Sequence, residues 1–359
     1  MGIFDAALLA SMLIITTPIL LASLGEVVSE RAGVLNVGLE GMMLMGAFFG
    51  FLAAWQLESR ALGVAVGVLA GVVAATVMAV LTIEFKTDQI VAGVALNILA
   101  IGITTFAFDE ILGDGARVTL GSAGAVAIPL LSGLGPVGEA LFARDVVVYA
   151  AFLLIPCLGF LLYRTRWGLA VRSVGEKPVA ADASGTSVRR VRWMATLTAG
   201  ALAGLAGAYL SCIQLGIFRQ EMTAGRGFLA LAAVILGRWH PGGVAIACLL
   251  FGGAEALQLR LQTSAAVPAE VWLVLALAAA LFFVRALRAP GGLRSGGATT
   301  AGVAAVVGAA LLITMPSFTM PSQFWLAMPA LLALIALAVT TSRAHMPTAL
   351  TIPYHRGER

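Results

Sequence analysis

Leu62–Ile83, LGVAVGVLAGVVAATVMAVLTI, runs 22 residues without a charge or a proline. Coiled at about 1.5 Å per residue, such a segment is as long as the ~30 Å hydrocarbon core of a bilayer is thick. Comparable apolar runs recur at 6–24, 39–56, 88–108, 145–163, 194–213, 242–262, 269–285, 299–315 and 322–340. Of the 359 residues, 60% are hydrophobic and only 11% are charged, against about a quarter charged in soluble domains. A chain of this composition cannot cover a water-facing surface. The expected fold is an all-α polytopic membrane protein with about 10–11 transmembrane helices, forming one domain over residues 1–359.

One segment breaks the pattern. Between 213 and 242, Arg219, Glu221 and Arg226 precede a short apolar run, Gly227–Gly237, too short to cross alone. It reads as a broken or re-entrant element, which is tolerated only where it is buried in protein or lines a cavity.

Charge gives the orientation. The loop 164–192 carries Arg164, Arg166, Arg172, Lys177, Arg189, Arg190 and Arg192 against only Glu176 and Asp182. The segment holding Arg285, Arg288 and Arg294 is also basic, as is the tail with Arg343, Arg356 and Arg359. Basic loops stay inside. Residues 109–144, with Asp109, Glu110, Asp114 and Glu139, belong outside. If 214–237 counts as a crossing, the assignments alternate with the N-terminus outside and the C-terminus inside. The net charge of +4 reflects this distribution and gives no reason to expect nucleic acid. Ala6–Leu24 follows the acidic Asp5 and no basic run, so it reads as a retained helix, not a signal peptide.

Other features are structural at most. Cys157, Cys212 and Cys248 lie scattered in apolar stretches without metal-ligand spacing. His240, His345 and His355 occupy a turn and the tail. Gly67, Gly71, Gly200, Gly204 and Gly207 suit close helix packing. VPAEVWL at 267–273 echoes MPSQFWL at 320–326. The echo marks either an inserted, duplicated hairpin over 264–318 or chance, since tryptophan is favoured at membrane interfaces.

Within the basic loop, Gly175–Gly185 reads as a short amphipathic helix. Pro178 suits its first position, Gly185 its end, and Ala180, Ala181 and Ala183 are small enough to enter a partner's groove. The positive-inside rule alone also accounts for such a loop. Polar residues in or beside the spans must face a cavity or a neighbouring helix. Asn36, Glu40, Gln89, Asn97, Thr104, Glu255 and Gln258 are the pathway candidates, with Asp88, Thr105 and Gln214 also polar and near spans. The Asn97 carboxamide suits either a solute hydroxyl or base edge, or an adjacent helix. Glu40 opens a span, where its charge suits the helix dipole as well as it suits a solute. Glu255 and Gln258 share one strip, and Arg260 is poorly spaced to pair with Glu255.

The run Gly25–Gly41, GEVVSERAGVLNVGLEG, resembles the N-terminal signature of nucleoside and simple-sugar permeases of bacterial ABC importers, in the group that includes the ribose and branched-chain amino-acid permeases. Thr87–Gly93 (TDQIVAG), Gly225–Trp239 (GRGFLALAAVILGRW) and the tail Pro353–Gly357 (PYHRG) are similar to the same family. Ala180, Ala181 and Gly185 resemble its EAA-x-x-x-G coupling loop, with Val179 where the glutamate would stand. The likeness runs from about residue 12 to the end, and 264–318 has no counterpart in it.

The resemblance implies a permease subunit in the bacterial cytoplasmic (inner) membrane. Its partners would be a cytoplasmic ATP-binding subunit docked on 172–190, a second permease subunit that is a different chain, and an extracytoplasmic substrate-binding protein. Glu176, Lys177, Pro178, Ala180, Ala181 and Gly185 would couple to the ATPase. The solutes would be nucleosides or related small polar compounds, with simple sugars next. The chain has no G-x-x-x-x-G-K-[ST] loop, H-E-x-x-H or G-x-S-x-G motif. ATP and Mg would therefore sit on the partner, with no cofactor and no catalysis in this chain. The rival reading is an ion-coupled secondary transporter, which should show matched broken helices; only one such element is legible.

Overall fold

In a computed structural model the regular structure among the described residues is helical, apart from one two-residue strand pair, Val126–Ala127 with Ala143–Arg144. The structure describes residues 5–113, 118–121, 123–129, 131–133, 135–262, 331 and 346–354. The expected spans at 269–285, 299–315 and 322–340, the 264–318 hairpin, the basic segment 285–294, Arg343, Arg356, Arg359, His345 and His355 lie outside the described residues.

Helix α1 (Ala6–Arg31) starts at Asp5, whose carboxylate accepts the Leu8 N–H at 3.1 Å. It continues past the apolar run ending at Leu24, through Glu26 and Glu30, and is buried on every side from Ile15 to Glu30. A helix buried all round is central. Around it stand α2 (Leu39–Gln56), α3 (Arg60–Ala79, extended by a π-turn over Val80–Glu84) and α4 (Gln89–Leu112). Next come the short α5 (Gly135–Phe142) and then α6 (Val146–Arg164). The basic loop contains α7 (Arg166–Glu176) and α8 (Pro178–Ala183). Finally come α9 (Val188–Ala208, extended by a π-turn over Tyr209–Gln214), α10 (Arg226–Leu236) and α11 (Pro241–Gln262). Among the described residues, seven helices are long and apolar enough to cross a membrane: α1, α2, α3, α4, α6, α9 and α11. The all-α polytopic architecture is what the composition required.

The ends of the helices sort onto two faces. On the basic face, Arg189 Nε and Trp193 Nε1 both donate to Glu84 Oε1 at 2.6 Å, and Gly175 lies against the Arg31 carbonyl. On the opposite face, Arg260 pairs with Asp5 at 2.7 Å, and Gln220 donates to Asp109 at 2.9 Å. The stretch from Gln214 to Gly237 begins on this second face and ends on the basic one. Beyond the π-turn that ends at Gln214, only α10 is helical in it.

Rigidity comes from glycine. At Gly71 of α3 an added Cβ would lie 2.7 Å from the Gly204 Cα of α9, and at Gly46 of α2 it would meet the Gly204 backbone too. In lipid no hydrophobic force drives helices together, so this backbone approach supplies the dispersion contacts that hold α2, α3 and α9.

Candidate functional site

Helix α10 is only 11 residues long, and each of its ends is anchored by a residue of the Gly25–Gly41 run. Its N-cap is Gly225, at φ +82°, with no side chain to cap the first turn. The missing acceptor comes from α2: Glu40 Oε1 accepts the Gly225 N–H at 2.8 Å, and Oε2 accepts the Gly227 N–H at 2.6 Å. A carboxylate there satisfies orphan donors and the positive end of the helix dipole together. Gly227 is required, because a Cβ would lie 2.6 Å from the Glu40 nitrogen. The sequence left Glu40 either serving the start of its own helix or meeting a solute; it does lie in the first turn of α2, and its carboxylate caps α10 as well.

At the inner end of α10, the Trp239 indole N–H donates to Glu30, and Arg31 Nε donates to the Trp239 carbonyl at 3.0 Å. Arg238 and Trp239 both take φ near +55°, a strained backbone held by this pair of contacts at a cost of about 1–3 kcal/mol each. Arg226, in the first turn of α10, pairs with Glu255 of α11. That pair supplies the partner of Glu255 that spacing left open. Below, Glu26 Oε1 accepts the Asn36 N–H at 2.8 Å, and both residues are buried.

A cavity of about 280 Å³ opens where α2, α4 and α10 meet. Glu40, Gly41, Leu44, Asn97 and Ile101 line it, with Glu221, Thr223, Ala224, Gly225 and Phe228 from the α10 side. The Asn97 amide is engaged in packing: Oδ1 accepts the Gly41 N–H at 2.8 Å and Nδ2 donates to the Val37 carbonyl at 3.0 Å. Gln89 Oε1 accepts the Leu35 N–H at 2.7 Å, and Thr104 donates to Ala100 one turn back at 2.8 Å. Of the seven pathway candidates, the structure thus brings Glu40 and Asn97 to the cavity wall. Asn36, Gln89, Thr104, Glu255 and Gln258 do not line it. Thr223 and Phe228, together with Glu221, whose φ is +54°, line the cavity although they were not among the pathway candidates. Their signal was the polar interruption before the short apolar run.

The basic loop folds as its punctuation suggested. Pro178 is the first residue of α8, and Gly185 follows the helix at φ +88°. Val179 (55% exposed), Ala180, Ala183 and Gly185 face outward, as do Glu176 and Lys177; Ala181, at 3%, turns into the chain's own core. Residues 346–354 strap this loop to the helices. Ala349 donates to the Gly175 carbonyl at 2.8 Å, and the Thr348 hydroxyl donates to Glu176 at 2.8 Å. Arg192, buried in α9, donates to the Ile352 carbonyl at 3.0 Å.

Comparison with known proteins places this geometry in context. The family described as branched-chain amino acid transport system / permease component matches over residues 8–286. A Haloferax volcanii protein given provisionally as a glucose ABC transporter permease is 40% identical over 72% of this chain and 79% of its own. The guanosine ABC transporter permease NupQ of Bacillus subtilis is 37% identical, over 69% and 80% respectively. The nucleoside ABC transporter permease NupC of Lactococcus lactis is 36% identical, over 68% and 80%. No solved structure matches.

Proposed function

Because this chain belongs to the branched-chain amino acid transport system / permease component family, we propose that it imports nucleosides, with simple sugars as the second class. It is a multi-pass permease subunit of an ABC importer, in the cytoplasmic membrane, working with ATPase and substrate-binding partners. The preference for nucleosides is supported by two relatives, whose names give nucleoside and guanosine as their solutes. The second permease subunit is a different chain, and ATP and Mg are held by the ATPase.

The coupling reading rests on one observation: α10 touches the cavity at one end, and the turn at its other end is held by Arg31, whose carbonyl lies against Gly175 of α7. The outward side of α8, with Glu176, Lys177, Pro178, Ala180 and Gly185 around it, takes the ATPase. Ala181 seats α8 on the permease. Movement of α8 reaches Arg31 through Gly175, which has no room for a side chain beside the Arg31 carbonyl. Arg31 and Glu30 hold Trp239, and Trp239 ends the turn after α10. The far end of α10 moves against Glu40 and the cavity. The ion-coupled alternative has no support from the family.

The test is reconstitution of the full complex with its binding protein in proteoliposomes. Labelled guanosine should accumulate only with ATP inside the motor compartment, and unlabelled nucleosides should compete better than pentoses. Accumulation without ATP, or without nucleoside competition, contradicts the reading.

A further inference from the structure

We propose that the α2–α4–α10 cavity is the station where the permease itself holds an uncharged ribosyl compound in transit and turns phosphorylated ones away. This rests on the nucleoside reading above. Height in the membrane supports it. Helix α10 rises from the Trp239 latch through 11 residues, about 16 Å at 1.5 Å per residue, which is half of a ~30 Å hydrocarbon core. A cavity at that depth that includes the Glu40 and Glu221 carboxylates in its lining lies where a solute in transit would pass, since ionisable groups within a membrane protein face its interior or a water-filled cavity.

The lining mixes two chemistries: Glu40, Glu221 and Thr223 are polar, and Leu44, Ile101 and Phe228 are apolar. Each Glu40 oxygen accepts one backbone N–H, and a carboxylate oxygen accepts more than one hydrogen bond. Both retain acceptor capacity for a solute hydroxyl. Phe228, 49% exposed although it sits in the middle of the crossing segment, presents an aromatic surface on which a purine stacks. A free pentose has no such surface. The volume of about 280 Å³ lies just below the range of small-molecule pockets, roughly 300–1,000 Å³, which suits one small solute and not an oligosaccharide.

Charge sets the exclusion. Two carboxylates line the cavity, and no cationic side chain among the described residues does. The N-terminus of α10, which would otherwise attract a phosphate, already has its anion in Glu40. A nucleotide would bring its charge into like charge at low dielectric.

The experiment uses the reconstituted complex with saturating binding protein, comparing wild type with Phe228→Ala and Ile101→Trp. Phe228→Ala removes the stacking surface, worth about 1–3 kcal/mol per base and so on the order of tenfold or more in guanosine uptake. Ribose uptake should change less than twofold. Ile101→Trp fills the cavity and should stop uptake of both. Co-purification of the ATPase subunits in wild-type ratio is the control for folding. In parallel, 8-azidoguanosine is photolysed during turnover and its attachment site mapped. Labelling should fall on residues 221–228 or the facing turns of α2 and α4, and should be competed by guanosine but not by guanosine monophosphate. Wild-type nucleoside uptake that survives in both variants, or label that maps elsewhere, overturns the station while leaving the importer reading intact. A wild-type complex that takes up no nucleoside overturns both.

Discussion

The α3–α9 contact and helix α10 are two ways of holding a helix in a membrane. Between α3 and α9, Gly67, Gly71, Gly200 and Gly204 bring backbone against backbone, and the hydrogen bonds from Arg189 and Trp193 to Glu84 lie at one end of that contact. Helix α10 is held the opposite way. It is short, its ends are tied by Glu40, Glu30, Arg31 and Glu255, and the turns beside it carry strained residues at Glu221, Ala224, Arg238 and Trp239. Close glycine packing has one arrangement, because shifting it by a fraction of an ångström loses the contact. Directional hydrogen bonds to a short element can be exchanged for others. The first contact is a frame, and the second is a part able to move.

Substitutions test that division, beginning with the frame. Gly71→Leu drives a side chain into the Gly204 backbone and should cost more than ~3 kcal/mol, so no monodisperse protein should be recovered from membranes. Glu40→Ala leaves two α10 N–H groups without their charged acceptor. The expected loss is about 1.5–3 kcal/mol of local stability, seen as normal membrane yield with uptake reduced at least tenfold. Glu40→Gln, which keeps one acceptor oxygen, should fall between Glu40→Ala and wild type.

Trp239→Phe keeps an aromatic ring, though a smaller one, and removes the donor to buried Glu30, at about 1–3 kcal/mol. It should raise hydrogen exchange in α10 while leaving α3 and α9 protected. Thr348→Val cuts the strap to Glu176 at an exposed position, where about 0.5–1 kcal/mol is at stake. The measurement there is solute moved per ATP hydrolysed, which should fall two- to threefold without loss of assembly. Arg189→Gln removes a 72%-exposed partner of Glu84 and should change thermal stability by less than ~1 kcal/mol.

Much of the frame was legible because bilayer thickness imposes it. The apolar runs at 39–56, 62–83, 88–108 and 145–163 match α2, α3, α4 and α6 closely. Where an end was missed, polar residues continued a helix. Helix α1 runs on through Glu26, Glu30 and Arg31, where the Asn36 N–H and the Trp239 indole N–H each donate to one oxygen of a glutamate. Helix α9 begins at Val188, ahead of the apolar run at 194, carrying three arginines in its first turns. Helix α8 was readable from Pro178 and Gly185, since both act locally.

The latches of α10 were not readable. Glu40 meets Gly225, and Glu30 meets Trp239, across most of the chain's length, and no local rule pairs them. The composition of 213–242 showed that this segment was broken; which residues mend it is decided by the tertiary fold alone. Asn97 illustrates the converse: its depth was legible, but its engagement by Gly41 and Val37 was not.

The account stands on α8 being driven from the cytoplasm by a separate ATPase. Val179, exposed on α8, replaced by cysteine after removal of Cys157, Cys212 and Cys248, gives a direct measurement: bifunctional thiol cross-linking in inside-out vesicles containing the whole complex. A cross-linked product between this chain and the ATPase subunit, with a yield that changes when ATP is added, is the predicted result. Modification of the same cysteine by a membrane-impermeant reagent applied to intact cells, with no ATPase cross-link from the inside, would contradict it.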